Sequence, residues 1–300
     1  MKTTLDWLGT STFRLAIGET VIFLDAYMDR VPAAPPVGLS AKDVRQADWV
    51  LVGHSHFDHI AGTEVIANNT SAQVIGSYES MRVLKAAGVP EPQLKTASGG
   101  ERFRLTDGVT VRVFPSLHAC TWILTDVAPD VEQFGHTGLT QDERATCPGL
   151  VQHIMGIISE GGETAETIRN HVLGSVGSMD DGGPLVYLIE TPDLTIFWQD
   201  TSGAWKGTIE PLSADVAILA ASTRANVNGE PIQGSMAQFV AMEASILGAK
   251  RVFLGHHDNW MPPVTSDTFD MAPVHAELKL QAPDAALIEV TYLANTVLCD

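Results

Sequence analysis

The sequence predicts an α/β protein in which two sheets are flanked by helices. Short apolar runs typical of strands are followed by a helical pattern, and this order occurs in each half of the 300-residue chain. Histidines and aspartates follow several of these runs directly. The hydrophobic fraction of 45% is enough for a large core. The length allows one large domain or two small ones.

The first half begins with strands and continues with helices. "TFRLAIG" alternates apolar and other residues up to Gly18, "VIFLDA" ends at Asp25, and a loop rich in proline and glycine follows. "ADWVLVG" and "AQVIGS" are further buried strands. A helix is predicted for "YESMRVLKAAGV", where Gly88 ends it. The hairpin "RFRLTDGVTVRVFPS" turns at Asp107 and Gly108.

The second half repeats this order. "PLVYLIETPDLTIFWQD" is a hairpin that turns at Pro192 and Asp193, and "ADVAILA" is a strand. The amphipathic helix "MAQFVAMEASILGA" precedes the strand "RVFLG". A last strand is predicted in "ALIEVTYL".

Residues 126–183 interrupt the pattern, and we predict a helical insertion that forms a lid. The segment has ten acidic residues against Arg144 and Arg169. Leu150, Ile154, Ile157 and Ile158 fall on one side of a helix. That face can pack on the body of the protein, or part of it can line a pocket under an acidic exterior.

Composition excludes several classes of partner. The formal net charge is −18, and the chain has no run of Lys or Arg, so nucleic acid and anionic membranes are not expected partners. Cys120, Cys147 and Cys299 are widely spaced and odd in number, which fits a reducing compartment. No signal peptide or membrane span is recognisable. We expect a cytoplasmic protein with a small-molecule substrate, and the oligomeric state, including a homo-oligomer, stays open.

The most informative stretch is "LVGHSHFDHIAG", residues 51–62. His54, His56, Asp58 and His59 crowd together where a buried strand ends, and chemistry gathers at such strand ends in α/β proteins. Imidazole and carboxylate ligands suit zinc, manganese or iron. Four metal-capable side chains within six residues favour a metal site over a polar surface loop.

Other metal-capable residues also follow apolar runs. Each has an ordinary structural explanation by itself, such as a turn or a hydrogen-bonded histidine. Together they indicate that separate strands in both halves deliver ligands to one edge of the sheets. They are Asp25, His118, Asp200, and the adjacent pair His256 and His257.

The motif histidine-x-histidine-x-aspartate-histidine at His54, His56, Asp58 and His59 resembles that of the metallo-β-lactamase superfamily. The resemblance covers nearly the whole chain and is weakest over residues 126–183. The opening "WLGTSTFRLAIGETVIFLDA" and the stretch "FPSLHAC" look most like the branch of ascorbate-6-phosphate lactonase-like hydrolases. The resemblance implies a single domain over residues 1–300, folded as an αββα sandwich of two mixed sheets with two metal ions at one edge. Zinc is the expected metal, and manganese and iron are the alternatives.

The resemblance also implies roles for individual residues. Asp200 would bridge the two ions, Asp25 would support the ligand loop, and His257 would support a ligand or face substrate. His256 is preferred over His257 as the last ligand because it follows its strand directly. Arg224 is the one obvious basic residue expected to reach the site. The first ion would be bound by His54, His56 and His118, and the second by Asp58, His59 and His256.

The predicted function is hydrolysis by a metal-bound hydroxide, with Asp58 and Asp200 as catalytic residues. Two ions about 3.5–4 Å apart share a water and lower its pKa, and Asp58 can orient it and pass its proton to the leaving group. A neutral lactone or other carboxylic ester is the preferred substrate. The alternatives are a phosphodiesterase or phosphotriesterase, an iron-dependent redox enzyme such as a sulfur dioxygenase, and a scaffold without activity. The flavodiiron pattern, with an acidic residue in place of His56, fits poorly.

Overall fold

The computed structural model describes residues 1–123, 130, 135–147, 149–232 and 234–300. Of the acidic residues counted in the insertion, Asp126 and Glu132 lie outside these ranges. The strands are β1 (Thr3–Trp7), β2 (Phe13–Ile17), β3 (Thr20–Leu24), β4 (Trp49–Leu51), β5 (Gln73–Gly76), β6 (Leu94–Thr96), β7 (Arg102–Thr106), β8 (Val109–Pro115), β9 (Leu185–Glu190), β10 (Thr195–Trp198), β11 (Gly203–Ala204), β12 (Val216–Ala220), β13 (Asn226–Val227), β14 (Glu230–Pro231), β15 (Arg251–Gly255), β16 (Ala286–Leu287) and β17 (Thr296–Cys299).

The α-helices are α1 (Phe57–Ile60), α2 (Thr63–Thr70), α3 (Tyr78–Ala86), α4 (Gln141–Thr146), α5 (Leu150–Glu160), α6 (Glu163–Gly174), α7 (Lys206–Ile209), α8 (Met236–Leu247) and α9 (Ala272–Gln281). Two short 3-10 helices span Ala41–Asp43 and Glu91–Gln93. No helix in the described ranges combines the length and the apolar character that crossing a membrane requires.

Two seven-stranded mixed sheets form the centre of the molecule, as the sequence predicts. The first has the order β17-β1-β2-β3-β4-β5-β6 and the second β16-β15-β12-β10-β9-β8-β7. In each sheet an antiparallel part continues into a parallel part, at β3–β4 in the first and at β10–β12 in the second. The carboxyl ends of the parallel strands therefore collect at one edge of each sheet.

The core lies in layers on both sides of the sheets. One apolar cluster joins residues of both sheets, such as Leu15 and Ile22 from the first with Val111 and Trp198 from the second. A second cluster packs β12 and β15 against α8 and α9, and a third packs β4 and β5 against α2 and α3. The layers are thus helix, sheet, sheet, helix, which confirms the predicted fold class.

Local chemistry explains where the elements end. In β2 Phe13, Leu15 and Ile17 are buried and alternate with half-buried residues, which is the pattern of a strand with one face in the core. Helix α8 begins with a capping box between Ser235 and Gln238. It ends at Gly248, whose φ of +61° is the left-handed conformation that favours glycine.

One expectation needs correction at the C-terminus. The strand predicted in "ALIEVTYL" is limited to β16, and Tyr292 forms only an isolated bridge with Trp7. The strand at this edge of the first sheet is instead β17, which pairs antiparallel with β1. The long separation along the chain hides this pairing from the sequence pattern.

Candidate metal centre

Residues of both sheets converge at the edge where the parallel strands end. His54 follows β4, His118 follows β8, Asp200 follows β10 and His256 follows β15 directly. Helix α1 starts right after His56 and presents Asp58 and His59 in its single turn. We call the seven residues that meet here the ligand cluster: His54, His56, Asp58, His59, His118, Asp200 and His256.

The first group of possible ligands comprises His54, His56 and His118. One ring nitrogen of each lies within 4.8 Å of the others. The His54 Nε2 and His56 Nδ1 atoms are 3.0 Å apart. His54 is fully buried, and the two other rings are partly open to a cavity.

The second group comprises Asp58, His59 and His256. The Nε2 atoms of His59 and His256 are 3.2 Å apart, and Asp58 Oδ2 lies 3.3 Å from His256 Nε2. The same carboxylate oxygen lies 3.5 Å from His59 Nε2. Two nitrogens and one oxygen therefore face a common point.

Asp200 lies between the two groups and contacts one histidine of each. Its Oδ2 atom is 2.6 Å from His54 Nδ1 and 3.3 Å from His59 Nδ1. The side chain is fully buried, and Oδ1 has no hydrogen-bond partner among the described residues. Gly53 makes this approach possible, because a Cβ there would lie 2.0 Å from the Asp200 carboxylate.

Asp25 supports the cluster from behind. It is fully buried; its Oδ1 accepts a hydrogen bond from Gly53 N at 2.9 Å. Its Oδ2 lies 2.7 Å from His59 Nδ1 and accepts a hydrogen bond from the Ser11 hydroxyl at 2.8 Å. A carboxylate that fixes the ring of a ligand histidine is a common feature of metal sites.

His256 and His257, which the sequence leaves ambiguous, point in different directions. The backbone of His256 has a φ of +63° and its N–H donates to Thr10 O at 2.7 Å, and this turns the ring towards Asp58 and His59. The His257 ring instead stacks on Trp7, with centroids 4.8 Å apart. His257 belongs to none of the described ligand groups, so the geometry favours the predicted choice of His256.

The protonation of the cluster suits metal ligands. Burial lowers the pKa of His54, and it lowers that of His118 to about 3, so both imidazoles are neutral and can bind metal through a lone pair. For His59, burial acts in the same direction, but the carboxylates of Asp58 and Asp25 raise the pKa to about 9. A metal ion would take the place of the proton that this carboxylate-rich position attracts.

The residues present fit divalent metal ions. Imidazole nitrogens that lie 3.0–3.2 Å apart can share only one proton between them, and the buried Asp200 Oδ1 lacks a protein partner in the described ranges. Nitrogen and carboxylate oxygen donors are the set that zinc, manganese and iron accept. The chain thus provides candidate groups for metal ions, as the sequence predicts.

Comparison with known proteins agrees with the motif and the fold. Residues 20–135 match the family model of the Beta-lactamase superfamily domain, which includes the His54–His59 motif. The match covers less than half of the chain, so it shows that residues 20–135 are similar to that domain.

The proteins that are similar to this chain cover different shares of it. A UPF0173 metal-dependent hydrolase from Pyrobaculum arsenaticum is 32% identical over 114 residues, which are 37% of this chain and 49% of the relative. The chain thus spans about half the length of this curated relative. A metallo hydrolase from Ignicoccus hospitalis superposes with a TM-score of 0.60 at 15% identity, covering 99% of this chain and 98% of that one.

A further member of the same fold is a diiron β-hydroxylase from Streptomyces venezuelae. It superposes with a TM-score of 0.53 at 11% identity over 97% of this chain and 53% of that chain. The two solved structures share the fold with this protein, and identities this low establish nothing more.

A cavity of about 1390 Å³ opens over the ligand cluster. His56, Asp58, His59, His118 and His256 line it, whereas His54 and Asp200 lie behind them. Helices α5 and α6, which we call the helical wall, close one side of the cavity. Leu150, Ile154 and Ile158 line the cavity, while Ile157 packs against the cluster that contains Tyr27 and Trp260. The predicted apolar face therefore both lines the cavity and packs on the body of the protein.

The basic residue at the cavity differs from the one expected. Arg224 is buried, with 1% exposure, and is not among the residues that line the cavity, although Ser222 and Thr223 are. Its backbone carbonyl accepts a hydrogen bond from Cys120 N at 2.8 Å. Arg169 of the helical wall lines the cavity instead, because α6 folds back over it.

Several residues that shape the site are not among those predicted from the sequence. Ser11 contacts both Asp25 and His59, at 2.8 Å each, and Thr10 anchors the backbone of His256. Gly53 makes room for Asp200. Only Gly53 carried a usable signal, since a glycine between a strand and a histidine cluster suggests a close approach of another chain segment.

Proposed function

We propose that the protein is a metal-dependent hydrolase that binds two divalent metal ions and cleaves a lactone or another carboxylic ester. The observation that carries the proposal is the arrangement of candidate ligand atoms in three overlapping groups of three. The third group combines Asp200 with His54 and His59, one histidine from each of the other two groups. The matched relative from Pyrobaculum arsenaticum is named a metal-dependent hydrolase, which supports the general activity.

Two ions in this site would supply Lewis acidity towards the scissile bond and a water of lowered pKa. Zinc is the expected metal because structural and catalytic zinc sites use this donor set, and manganese or iron would also be accepted. His54, His56 and His118 would hold one ion, and Asp58, His59 and His256 the other. Asp200, which is buried behind the cavity wall, would contact both.

Asp58 is the residue best placed to move a proton. It lines the cavity, so it can contact a bound substrate and the attacking water. Burial alone would raise the pKa of Asp58, but His59 and His256 beside it hold the pKa below its usual range. The ionised carboxylate can accept a proton from water and transfer it to the leaving alkoxide.

The surroundings of the cavity favour an uncharged substrate. Arg169 is the only arginine or lysine among the described residues of the lining, whereas Asp180, Asp181 and Asp258 are also part of it. The whole chain carries a formal charge of −18. These acidic residues would offset part of the positive charge that bound metal ions bring, and the described lining offers a phosphate no pair of arginines. We therefore expect a small neutral ester as substrate, and neither nucleic acid nor membrane as partner, in a cytoplasmic setting.

Two alternatives use the same ligands. The position of Arg169 at the cavity is the observation in favour of a phosphodiesterase or phosphotriesterase, because one guanidinium can bind one phosphate oxygen. The fold shared with a diiron β-hydroxylase is the observation in favour of an iron-dependent redox enzyme. The branch of ascorbate-6-phosphate lactonase-like hydrolases remains a prediction from the sequence motif.

Metal analysis combined with a substrate panel tests these alternatives. Elemental analysis of the purified protein is expected to give about two transition-metal ions per chain. We expect a higher kcat/KM for a neutral lactone and for 4-nitrophenyl butyrate than for bis(4-nitrophenyl) phosphate or 4-nitrophenyl phosphate. A preference for the phosphates would replace the esterase proposal, and oxygen uptake by an iron-loaded sample without ester hydrolysis would favour redox chemistry. A sample with no bound metal would contradict the proposal entirely.

A further inference from the structure

The cavity is larger than hydrolysis of a small ester requires. Its volume of about 1390 Å³ exceeds the range of roughly 300–1,000 Å³ that is usual for small-molecule sites. Five residues of the ligand cluster form part of its lining, and residues of the helical wall form another part.

Aromatic side chains connect the ligand cluster to this extension. Phe57 stands between His56 and Asp58, and its ring centroid is 6.1 Å from that of Trp260. The Trp260 ring is also in edge contact with His256, at 5.6 Å, and with the buried Tyr27, at 5.9 Å. The apolar surface therefore begins directly beside the proposed reaction centre.

The helical wall continues this apolar surface. Ile154 and Ile158 of α5 and Val172 of α6 line the cavity and also pack against the cluster that contains Trp260. Met261, Val264 and Phe269 also line the cavity, and Met261 and Val264 belong to the same apolar cluster as Trp260. We call the part of the cavity that these apolar side chains line the apolar channel.

Large apolar side chains stand exposed where the channel reaches the surface. Among the described residues, Met155, Leu173 and Met179 line the cavity although they are 57%, 78% and 79% exposed. Leaving such side chains in water is unfavourable by about 25 cal/mol per Å² of apolar surface. Exposed apolar groups that continue a concave site are typical of ligand-binding grooves.

We infer that the substrate carries an extended, uncharged apolar chain, which runs from Phe57 and Trp260 along the helical wall to Met155, Leu173 and Met179. This inference rests on the proposed ester hydrolysis and names its substrate class. A second copy of the chain or a lipid surface could also cover exposed apolar groups. The channel favours a narrow chain because the groups line a cavity rather than a flat face, and Asp180 and Asp181 beside them disfavour an anionic membrane.

The test compares esters that differ only in chain length. Each methylene that becomes fully buried can improve kcat/KM by a factor of about four. We expect 4-nitrophenyl octanoate to exceed 4-nitrophenyl butyrate in kcat/KM by at least about tenfold. The double variant Met155→Gln, Leu173→Gln should reduce that ratio by about fivefold or more.

Leu280→Gln is the matched control. Leu280 lies on α9, is 76% exposed and is not among the cavity-lining residues, so its substitution should leave the ratio of the two esters unchanged. A wild-type ratio near one, or an equal loss in the control, would overturn the inference. Two further results would overturn it: that the protein sediments with phosphatidylcholine vesicles, or that it self-associates. In either case the double variant, and not the control, would abolish that behaviour and leave the ratio of the two esters unchanged.

A binding measurement separates this inference from the proposed function. If no ester is hydrolysed, the proposed function is wrong, and displacement of the neutral fluorophore N-phenyl-1-naphthylamine still reports on the channel. We expect 1-octanol to displace the fluorophore at lower concentration than 1-butanol does. A loss of this difference in the double variant, and not in Leu280→Gln, would support the apolar chain. Equal displacement by the two alcohols would reject it, and ester hydrolysis without a length preference would reject it while the proposed function remains.

Discussion

The ligand cluster takes its side chains from the ends of core strands, whereas the helical wall comes from a segment that joins neither large sheet. Gly53, Asp25 and Ser11 surround the cluster with buried hydrogen bonds and close contacts. The wall instead exposes large apolar residues such as Leu173. The candidate ligands therefore lie in the part of the molecule where packing holds each side chain in one position.

The difference teaches that the two regions should respond differently to substitution. A change in the cluster disturbs buried polar groups that have few alternative partners, and its cost is large. A change in the wall alters contacts with substrate and leaves the core intact. The segment after the helical wall is nevertheless attached to the ligand loop, because Ser55, between two ligand histidines, exchanges backbone hydrogen bonds with Ser178 and Asp181 at 2.8 and 2.9 Å.

The largest effect is expected for Asp200→Ala. Its carboxylate contacts a histidine of each ligand group, so its loss should weaken both metal sites and lower kcat by roughly a thousandfold or more. Elemental analysis and ester hydrolysis measure the two effects, and circular dichroism checks that the fold persists. Ordinary activity in this variant would rule out the bridging role.

The next effect distinguishes the two adjacent histidines. His256→Ala should reduce metal content and lower activity by about a hundredfold, because His256 faces Asp58 and His59. His257→Ala removes a ring that stacks on Trp7 and should retain more metal. Greater metal loss in the His257 variant would reverse the assignment.

A smaller effect is expected where the segment after the helical wall is attached to the ligand loop. A Cβ on Gly177 would lie 2.7 Å from the backbone N and Cα of Phe57, so Gly177→Ala should shift the turn that carries His56 and Asp58 and lower kcat/KM by about tenfold. Gly174→Ala, at the end of α6, meets nothing within 4 Å and is the matched control. Equal activity of the two variants would show that the attachment does not position the cluster.

The smallest effect on turnover is expected for Glu243→Gln, which should change stability instead. Glu243 on α8 is fully buried, its Oε1 accepts a hydrogen bond from Gln199 at 3.0 Å, and burial raises its pKa to about 8. The unfolded chain releases this proton near its usual pKa of about 4.3, so the wild-type protein loses stability as pH rises from about 4.3 to 8.

Glutamine keeps the acceptor for Gln199 and cannot ionise. Glu243→Gln should therefore unfold at higher urea concentration than the wild type at pH 8, with little difference at pH 5. Urea unfolding at these two pH values, alongside ester hydrolysis at pH 7, measures both properties. An equal difference at both pH values would contradict the ionisation argument.

The sequence predicts the parts of this site that depend on local pattern. His54, His56, Asp58 and His59 are adjacent in the chain, and a strand before them fixes which edge they reach. His118, Asp200 and His256 were identified because each follows an apolar run, and the structure brings all seven residues together.

The sequence does not reveal contacts that join distant segments. Ser11 reaches His59 only because β2 and β3 bring their loops together, and nothing in "LGTSTF" indicates it. The same limit explains the basic residue at the cavity. Arg224 follows a strand and was expected to face the site, but its side chain is buried, while Arg169 reaches the cavity through the fold of α6.

Each ligand group combines two residues from the first sheet's loops with one from the second. His54 and His56 meet His118, and Asp58 and His59 meet His256. A metal ion in either group would therefore act as a cross-link between the two halves of the chain, holding together sheets that otherwise adhere through apolar packing. The free energy of unfolding should then rise with metal concentration, and a chelator should lower the melting temperature as well as the activity.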